Sequence, residues 1–191
     1  MRKSNKRSNV MQAALELIAE RGFHDAPMAM IIEKAGVASG TMYHHFENKD
    51  ILITELYREL EEKISATLRE GYPVERPLRG KFFYLIRELF RYFIKNPLHF
   101  RYMAQYFNSP YGISLRRDRL LGTPGNHEIL IDLFEEGITQ QILKNLPVAV
   151  LFSLALGPLI SLIRDHIQGF VNLDETLIKQ TTEACWDAIK R

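Results

Sequence analysis

Cysteine is nearly absent from this sequence, because the 191 residues include a single one, Cys185. One cysteine excludes a disulfide framework within the chain and fits a reducing compartment. Cys185 lies beside Trp186 in a helical pattern. This setting favours a buried structural thiol over a redox sensor.

The sequence also lacks the short motifs that commonly mark an enzyme. It has no glycine-rich phosphate loop, no Gly-x-Ser-x-Gly nucleophile elbow and no paired metal motif. His44 and His45 are adjacent, whereas two metal ligands on one helix prefer a spacing of three or four residues. Asp165 and His166 are neighbours with no nucleophile at a suitable spacing. We therefore predict a protein that is not an enzyme and that binds no metal and no cofactor.

Neither sign of charge dominates, since 25 Lys and Arg against 23 Asp and Glu give a net charge of +2. A strongly anionic partner would require the basic residues to be concentrated locally. The N-terminal arm concentrates them, because four basic residues precede the first acidic one: Arg2, Lys3, Lys6 and Arg7. The sequence leaves open whether this arm is a solvated tail or contacts phosphate.

Long hydrophobic runs are limited to residues 146–163. Pro147, Gly157 and Pro158 interrupt this run, which barely reaches the minimum length for a membrane span. We predict a helix buried in protein, and no membrane partner. The basic N-terminus is not followed by the apolar run of a signal peptide, so we expect a cytoplasmic protein.

Apolar residues recur at helical spacing along most of the chain, and no strand-like alternation of useful length appears. Glycine, proline and capping residues divide the pattern into about nine helices, so the predicted fold class is all-α. The predicted helices are 8–21, 27–35, 39–45, 49–70, 78–95, 97–107, 126–141, 147–168 and 174–190. Asn48 and either Asn172 or Asp174 are candidate caps. Residues 113–125, with Arg116, Arg119 and two glycines, are expected to include a loop.

Residues 36–52, with the sequence GVASGTMYHHFENKDIL, predict a turn, a short helix and the start of a longer helix. Gly36 permits the sharp turn, and Val37, Met42 and Phe46 are apolar anchors. The anchors leave small and hydrogen-bonding residues for an outer face: Ser39, Gly40, Thr41, Tyr43 and His44. Such a face suits the major groove of DNA. Lys49 begins the next helix, where the helix dipole disfavours a cation unless a phosphate lies nearby.

Residues 8–52 resemble the helix-turn-helix of the TetR family of bacterial transcription regulators. The resemblance rests on three elements that fall in register: Ala-Gly-Val at 35–37, Gly-Thr-x-Tyr-x-x-Phe at 40–46 and Lys-x-x-Leu at 49–52. It implies that Tyr43 and Lys49 bind DNA phosphates. The residues that it implies in the groove are Ser39, Gly40, Thr41 and His44.

The chain departs from the family pattern at three positions. Pro27 stands where a capping threonine or serine is common, and Ile32 replaces a common alanine. Ala38 replaces the serine that usually caps the recognition helix, and Ser39 is the candidate for taking over that capping. These departures put individual contacts in question and leave the motif intact.

The resemblance implies two domains, a helix-turn-helix DNA-binding domain over 1–48 and a helical effector-binding and dimerisation domain over 49–191, with 49–70 as the linking helix. Two recognition helices related by a twofold axis would bind a palindromic double-stranded operator. The homodimer would form through residues 147–190. Apolar residues there include Leu151, Leu154 and Leu159, which fit an intramolecular core equally well.

Eleven of the 20 aromatic residues lie between Phe82 and Tyr111. Aromatic residues at helical spacing more often form a core than line a pocket. The resemblance nevertheless implies a small-molecule cavity in the C-terminal domain. The candidate ligand-binding residues are Phe83, Arg87, Phe90, Tyr102, Tyr106, Phe134 and Phe152. The implied function is a repressor released from its operator by a small, largely apolar or aromatic effector. The alternative is a ligand-independent DNA-binding architectural or cell-division factor of the same fold.

Overall fold

The computed structural model describes residues 2–121 and 129–191, and the side chains of residues 6–115, 117 and 129–191. Within these residues the protein is all-α, with ten helices and one isolated antiparallel bridge between Leu143 and Lys190. The helices are α1 (Arg2–Arg21), α2 (Met28–Ala35), α3 (Ser39–His45), α4 (Lys49–Arg69), α5 (Leu78–Lys95), α6 (Pro97–Phe107), α7 (Pro110–Leu121), α8 (Ile129–Thr139), α9 (Val148–Ile167) and α10 (Glu175–Ile189). The predicted fold class is confirmed.

A turn glycine ends one helix, and capping side chains begin two others, at the positions that the sequence predicts. Gly36 adopts a left-handed φ of 63° directly after α2, a conformation that glycine takes without steric cost. The side chain of Asn48 accepts the backbone N–H of Ile51 at 2.9 Å and caps α4. Asp174 accepts the N–H of Leu177 at 2.8 Å and caps α10. These contacts satisfy N–H groups that have no partner inside the helix.

Several predicted helix ends differ from the structure by one or two residues, and three differences concern the start of α1, the role of Pro27 and the existence of α7. α1 begins at Arg2 rather than near Ser8, so the basic arm continues the first helix. Pro27 is the N-cap of α2 rather than its first helical residue. α7 occupies much of the stretch expected to include a loop. Pro110 begins this helix, at a position where its missing N–H needs no partner. The expected glycine turn of residues 122–125 lies outside the described residues.

The chain forms two compact units. The first unit contains Met1–Lys63 and Asn96–Arg116, and the second contains Ile64–Lys95 and Arg117–Arg191. The first unit therefore joins α1, α2 and α3 with α6, with residues 49–63 of α4 and with residues 110–116 of α7. This division does not follow the predicted boundary at residues 48 and 49, because α4 and α6 contribute to the core that holds the helix-turn-helix.

The core of the first unit is formed by the apolar sides of its helices. Its fully buried large side chains include Ile18, Ile31, Met42, Phe46, Leu52, Ile53 and Tyr102. Burying a side chain of this size contributes about 1.5–3 kcal/mol relative to leaving it in water. Phe46 directly follows α3, so its burial fixes the C-terminal end of that helix.

The core of the second unit is built from α5, α8, α9 and α10. Phe82 of α5 is fully buried, and its ring centroid lies 5.4 Å from that of Trp186. Cys185 is also buried, and this burial raises the pKa of its thiol. A buried thiol held in its protonated form favours the structural interpretation of this cysteine.

By length and composition, α9 is apolar enough to cross a membrane, a property shared by many core helices. One side of α9 is buried in the second unit through Leu151, Ala155, Leu159 and Ile163. The opposite side is exposed and includes Val150, Leu154, Gly157 and Ser161. Leu151 and Leu159 therefore belong to the intramolecular core, the alternative that the sequence left open.

Candidate nucleic-acid interface

The residues of α3 divide into a buried side and an exposed side. Met42 and Phe46, one turn apart, are fully buried and hold the helix on the first unit. Tyr43 is 53% exposed, and Ser39, Gly40 and His44 are also exposed. Thr41 is half-buried. A Cβ atom added at Gly40 would meet no atom within 4 Å, so the surface there is open to a close partner.

α3 begins without a side-chain cap. Ala38 is the N-cap residue, with φ −70° and ψ 146°, and no side chain caps the helix. Ser39 is the first helical residue, so its hydroxyl does not take over the capping role that the sequence suggested for it. The exposed Ser39 side chain therefore stays available to a partner.

Replacing Ala38 with serine is expected to supply the missing cap. The backbone at Ala38 already has the extended conformation of an N-cap. Serine at this position should therefore stabilise the protein by about 1 kcal/mol and raise Tm by about 2–4 °C. Thermal unfolding followed by circular dichroism measures this change. The matched control is Ala66→Ser at an exposed position near the C-terminal end of α4, which should lower stability slightly because serine is a poorer helix former. Equal shifts for both variants would contradict the capping argument.

Lys49, the first residue of α4, is partly buried, and its ammonium donates a hydrogen bond to the backbone carbonyl of Phe23. The pKa of Lys49 is lowered, chiefly because burial withdraws the amine from water, while Asp50 and Asp25 act in the opposite direction. An ammonium group has three N–H donors, so the bond to Phe23 leaves others for an anion. The Phe23 carbonyl therefore fixes where Lys49 presents its charge.

The two described basic residues of the arm have different surroundings. The guanidinium of Arg7 binds Glu55 at 2.8 Å and Glu59 at 3.5 Å, and it lies 5.5 Å from the centroid of the Phe46 ring. These contacts tie α1 to α4 within the first unit. Lys6 is exposed, so it is the better candidate for a phosphate contact. The side chains of Arg2 and Lys3 lie outside the described residues.

Two of the predicted effector residues lie in the first unit rather than the second. The hydroxyl of Tyr102 donates to the backbone carbonyl of Ile53 at 2.7 Å, and this contact is buried. The ring of Tyr106 stacks on that of Tyr57, with centroids 4.1 Å apart. Both tyrosines therefore hold α6 against α4 within the first unit.

The other five predicted effector residues lie in the second unit. Phe90 and Phe134 are fully buried, and Phe152 is half-buried. The Arg79 guanidinium lies over the half-buried Phe83 ring, 4.4 Å from its centroid. Arg87 is exposed and contacts the carboxylate of Glu88 at 3.4 Å. The structure thus places apolar candidates inside this unit and the charged one at its surface.

No group of three or more histidine, cysteine, aspartate or glutamate side chains suited to a metal occurs in the part of the chain that the structure describes. The rings of His44 and His45 meet edge to face, with centroids 5.3 Å apart. His44 is exposed on α3, so its imidazole is accessible to a nucleic acid.

Sequence reasoning missed one polar contact beside Lys49. The hydroxyl of Tyr111, near the start of α7, donates to Asp50 Oδ1 at 2.6 Å. The two residues are 61 positions apart. No spacing rule in the sequence pairs them, and the Ser-Pro-Tyr-Gly stretch around Tyr111 has the composition of a turn.

A tight glycine turn joins α2 to α3, and α3 displays hydrogen-bonding residues beside the basic start of α4. These features define a helix-turn-helix DNA-binding protein. The chain belongs to the TetR family of transcriptional regulators. Residues 10–56 match the tetR family of bacterial regulatory proteins, and residues 77–190 match the tetracyclin repressor-like C-terminal domain.

The relatives differ in identity and in how much of the chain they match. The transcriptional regulator UidR of Escherichia coli (strain K12) is 38% identical over 69 residues, which are 36% of this chain and 34% of UidR. The matched stretch thus spans about a third of that relative. An HTH-type transcriptional regulator of Haemophilus influenzae is 23% identical over 190 residues, covering 99% of this chain and 98% of its own.

Solved structures share the whole fold. A TetR family transcription regulator from Marinobacter aquaeolei VT8 superposes with a TM-score of 0.84 at 21% identity, covering 99% of this chain and 97% of the other. A TetR-family transcriptional regulator from Haemophilus influenzae gives a TM-score of 0.82 at 21% identity and covers both chains completely. At this identity the likeness supports the fold alone.

Proposed function

We propose that the protein is a cytoplasmic, dimeric repressor that binds a palindromic operator and is released from it by a small, largely apolar or aromatic effector. The observation that carries the DNA-binding half is the outward display of Ser39, Gly40, Tyr43 and His44 on a helix whose other side is anchored by Met42 and Phe46. Short polar side chains on such a helix fit the major groove.

The contacts divide into those that position the protein and those that select sequence. Tyr43 and Lys49 supply a hydroxyl and an ammonium for phosphates, and Lys6 adds an exposed cation on α1. The side chains of Ser39, Thr41 and His44 face the base edges, and Gly40 allows close approach. Phosphate contacts fix register without reading sequence, whereas base-edge contacts give the preference.

Dimerisation is supported by the exposed side of α9. Val150 (41% exposed), Leu154 (37%) and Ile160 (40%) leave apolar surface in water along a helix whose opposite side is core. Gly157 and Ser161 on the exposed side allow a second helix to pack closely. A twofold pairing through α9 and α10, within residues 147–190, would bring two recognition helices to two half-sites.

The effector proposal is confined to the second unit, since Tyr102 and Tyr106 hold α6 on α4. Its remaining candidates are Phe83, Arg87, Phe90, Phe134 and Phe152. An effector releases the operator only by its differential affinity for the two states of the dimer, and coupling of roughly 1–3 kcal/mol is typical. Helix α4 is proposed to connect effector binding with DNA binding, because it begins shortly after α3 and its last residues belong to the second unit.

Selection from random double-stranded DNA with the purified protein tests DNA recognition. We expect two inverted half-sites. Lys49→Gln should weaken binding to selected and scrambled DNA alike and reduce the slope of log K against log salt by about 1. His44→Ala should instead relax the preference at one position of each half-site. The control is Lys95→Gln, an exposed lysine at the end of α5. Absence of a sequence preference, or equal effects of the two lysine variants, would contradict the proposal.

The selected DNA also makes it possible to test whether a small effector and the operator compete for the protein. The fluorescent apolar probe anilinonaphthalene sulfonate is titrated into the protein with and without saturating operator. Coupling predicts weaker probe binding to the operator complex, because reciprocal linkage requires each ligand to weaken the other. Equal probe affinity in both titrations would favour a DNA-binding factor that needs no small effector.

A further inference from the structure

Three tyrosines hold one side of α4 at successive turns. The Tyr111 hydroxyl bonds to Asp50, the Tyr102 hydroxyl bonds to the carbonyl of Ile53, and the Tyr106 ring stacks on Tyr57. Positions 50, 53 and 57 lie on one face of a helix. The tyrosines come from α6 and the start of α7, so two consecutive helices of the first unit set the placement of α4 from its first turn onward.

Tyr111 is the member of this set closest to the DNA-reading end of α4. Its ring packs edge-on against Phe23, with centroids 5.6 Å apart, and lies nearly parallel to the Tyr106 ring at 6.2 Å. The hydrogen bond to Asp50, together with burial, raises the pKa of Tyr111 to about 12. The hydroxyl therefore stays protonated near neutral pH and donates to the carboxylate.

Asp50 presents an electrostatic difficulty for a DNA-binding protein. Its exposed carboxylate directly follows Lys49 in the chain, at the end of α4 that is proposed to meet a phosphate. A free carboxylate there would repel the phosphate and compete with it for the lysine ammonium. The hydroxyl of Tyr111 occupies one oxygen of this carboxylate and directs it toward α7.

We propose that Tyr111 is a positioning residue for DNA binding, which restrains the Asp50 carboxylate and so leaves the Lys49 ammonium for a DNA phosphate. This inference rests on the Lys49 contact in the proposed function. Tyr111 acts twice on the same lysine, because its ring also packs on Phe23, the residue whose carbonyl orients the ammonium. Tyr111 itself touches no DNA in this proposal.

The experiment measures affinity of the full-length protein for the selected operator by fluorescence anisotropy over a series of salt concentrations. Tyr111→Phe keeps the ring and removes only the hydroxyl. We expect about tenfold weaker binding, the size of one lost hydrogen bond to a charged group. The matched control is Tyr84→Phe in the second unit, which removes a hydroxyl bonded to the carbonyl of Glu70 and should leave operator affinity unchanged.

Two double variants separate positioning from a general structural role. Asp50→Asn removes the charge, so Tyr111→Phe should have no further effect in that background. Tyr111→Phe should likewise add little to Lys49→Gln, since both act on one phosphate contact. A merely structural role for the hydroxyl predicts the same tenfold loss in every background. Thermal unfolding of each variant shows whether it is folded at the temperature of the assay.

The possible outcomes separate this inference from the function on which it rests. If Lys49→Gln weakens binding while Tyr111→Phe leaves it at the wild-type value, the positioning role is overturned and the proposed function stands. An equal loss with and without Asp50→Asn also overturns the role. If the wild type selects no DNA sequence, or if Lys49→Gln has no effect on affinity or salt slope, the inference fails together with its basis.

Discussion

Gly112→Ala is expected to destabilise the first unit severely. A Cβ atom at this position would lie 2.3 Å from the carbonyl oxygen of Tyr106 and 2.6 Å from Cα of Phe107. These neighbours are backbone atoms, so no side-chain rotation relieves the clash and the corner between α6 and α7 must open. Overpacking of this kind costs about 3 kcal/mol or more, equivalent to a decrease in Tm of roughly 6 °C or more.

Operator binding should fall in the same variant, because Tyr106 and Tyr111 flank the corner and contact α4. Urea unfolding and operator titration measure the two effects. Gly40→Ala is the matched control for stability, since its added methyl group meets no atom within 4 Å and alanine is the better helix former. A Gly112→Ala protein as stable as wild type would show that the corner between α6 and α7 has room for a Cβ atom.

Leu154→Glu is expected to convert the proposed dimer into monomers. Leu154 lies on the exposed side of α9, so the glutamate is well solvated in a single chain but would bury two like charges across a twofold interface. Loss of the dimer removes the second half-site, and operator affinity should fall by about 10²-fold or more. Sedimentation velocity gives the mass of the species in solution, and anisotropy gives the affinity.

Val74→Glu is the control for this experiment. Val74 is an exposed apolar residue of the second unit, 64% accessible, and it lies between α4 and α5 rather than on α9. The Val74→Glu protein should remain dimeric and should bind the operator with unchanged affinity. A dimer that persists in Leu154→Glu would place the interface on another surface.

The helix-turn-helix segment was predictable because its signals are local. Gly36 specifies a turn through its own backbone, and Met42 and Phe46 define the buried side of a short helix. Once those anchors are fixed, the exposure of Ser39, Tyr43 and His44 follows from helical geometry alone. The bounds of α5 and α6 were equally clear, since prolines and an apolar period delimit both helices.

The remaining features depend on contacts between distant residues. The sequence pattern identifies the aromatic residues of α6 but does not say which helix they contact, so the contacts of Tyr102 and Tyr106 with α4 were not predicted. Gly112 belongs to a stretch with the composition of a turn, whereas its missing side chain is what allows α7 to approach α6. Leu151 and Leu154 look equivalent in sequence, yet one is buried and the other is exposed.

The discontinuous composition of the first unit has a consequence for how the protein is made and recombined. Residues 96–116 leave the ribosome after the rest of that unit, so its core stays incomplete until more than half of the chain has been synthesised. A fragment that ends at Lys63 would expose Tyr57, which is almost fully buried in the whole protein. Chimeras that exchange the helix-turn-helix domain between relatives should therefore include α6 and the start of α7 together with that domain.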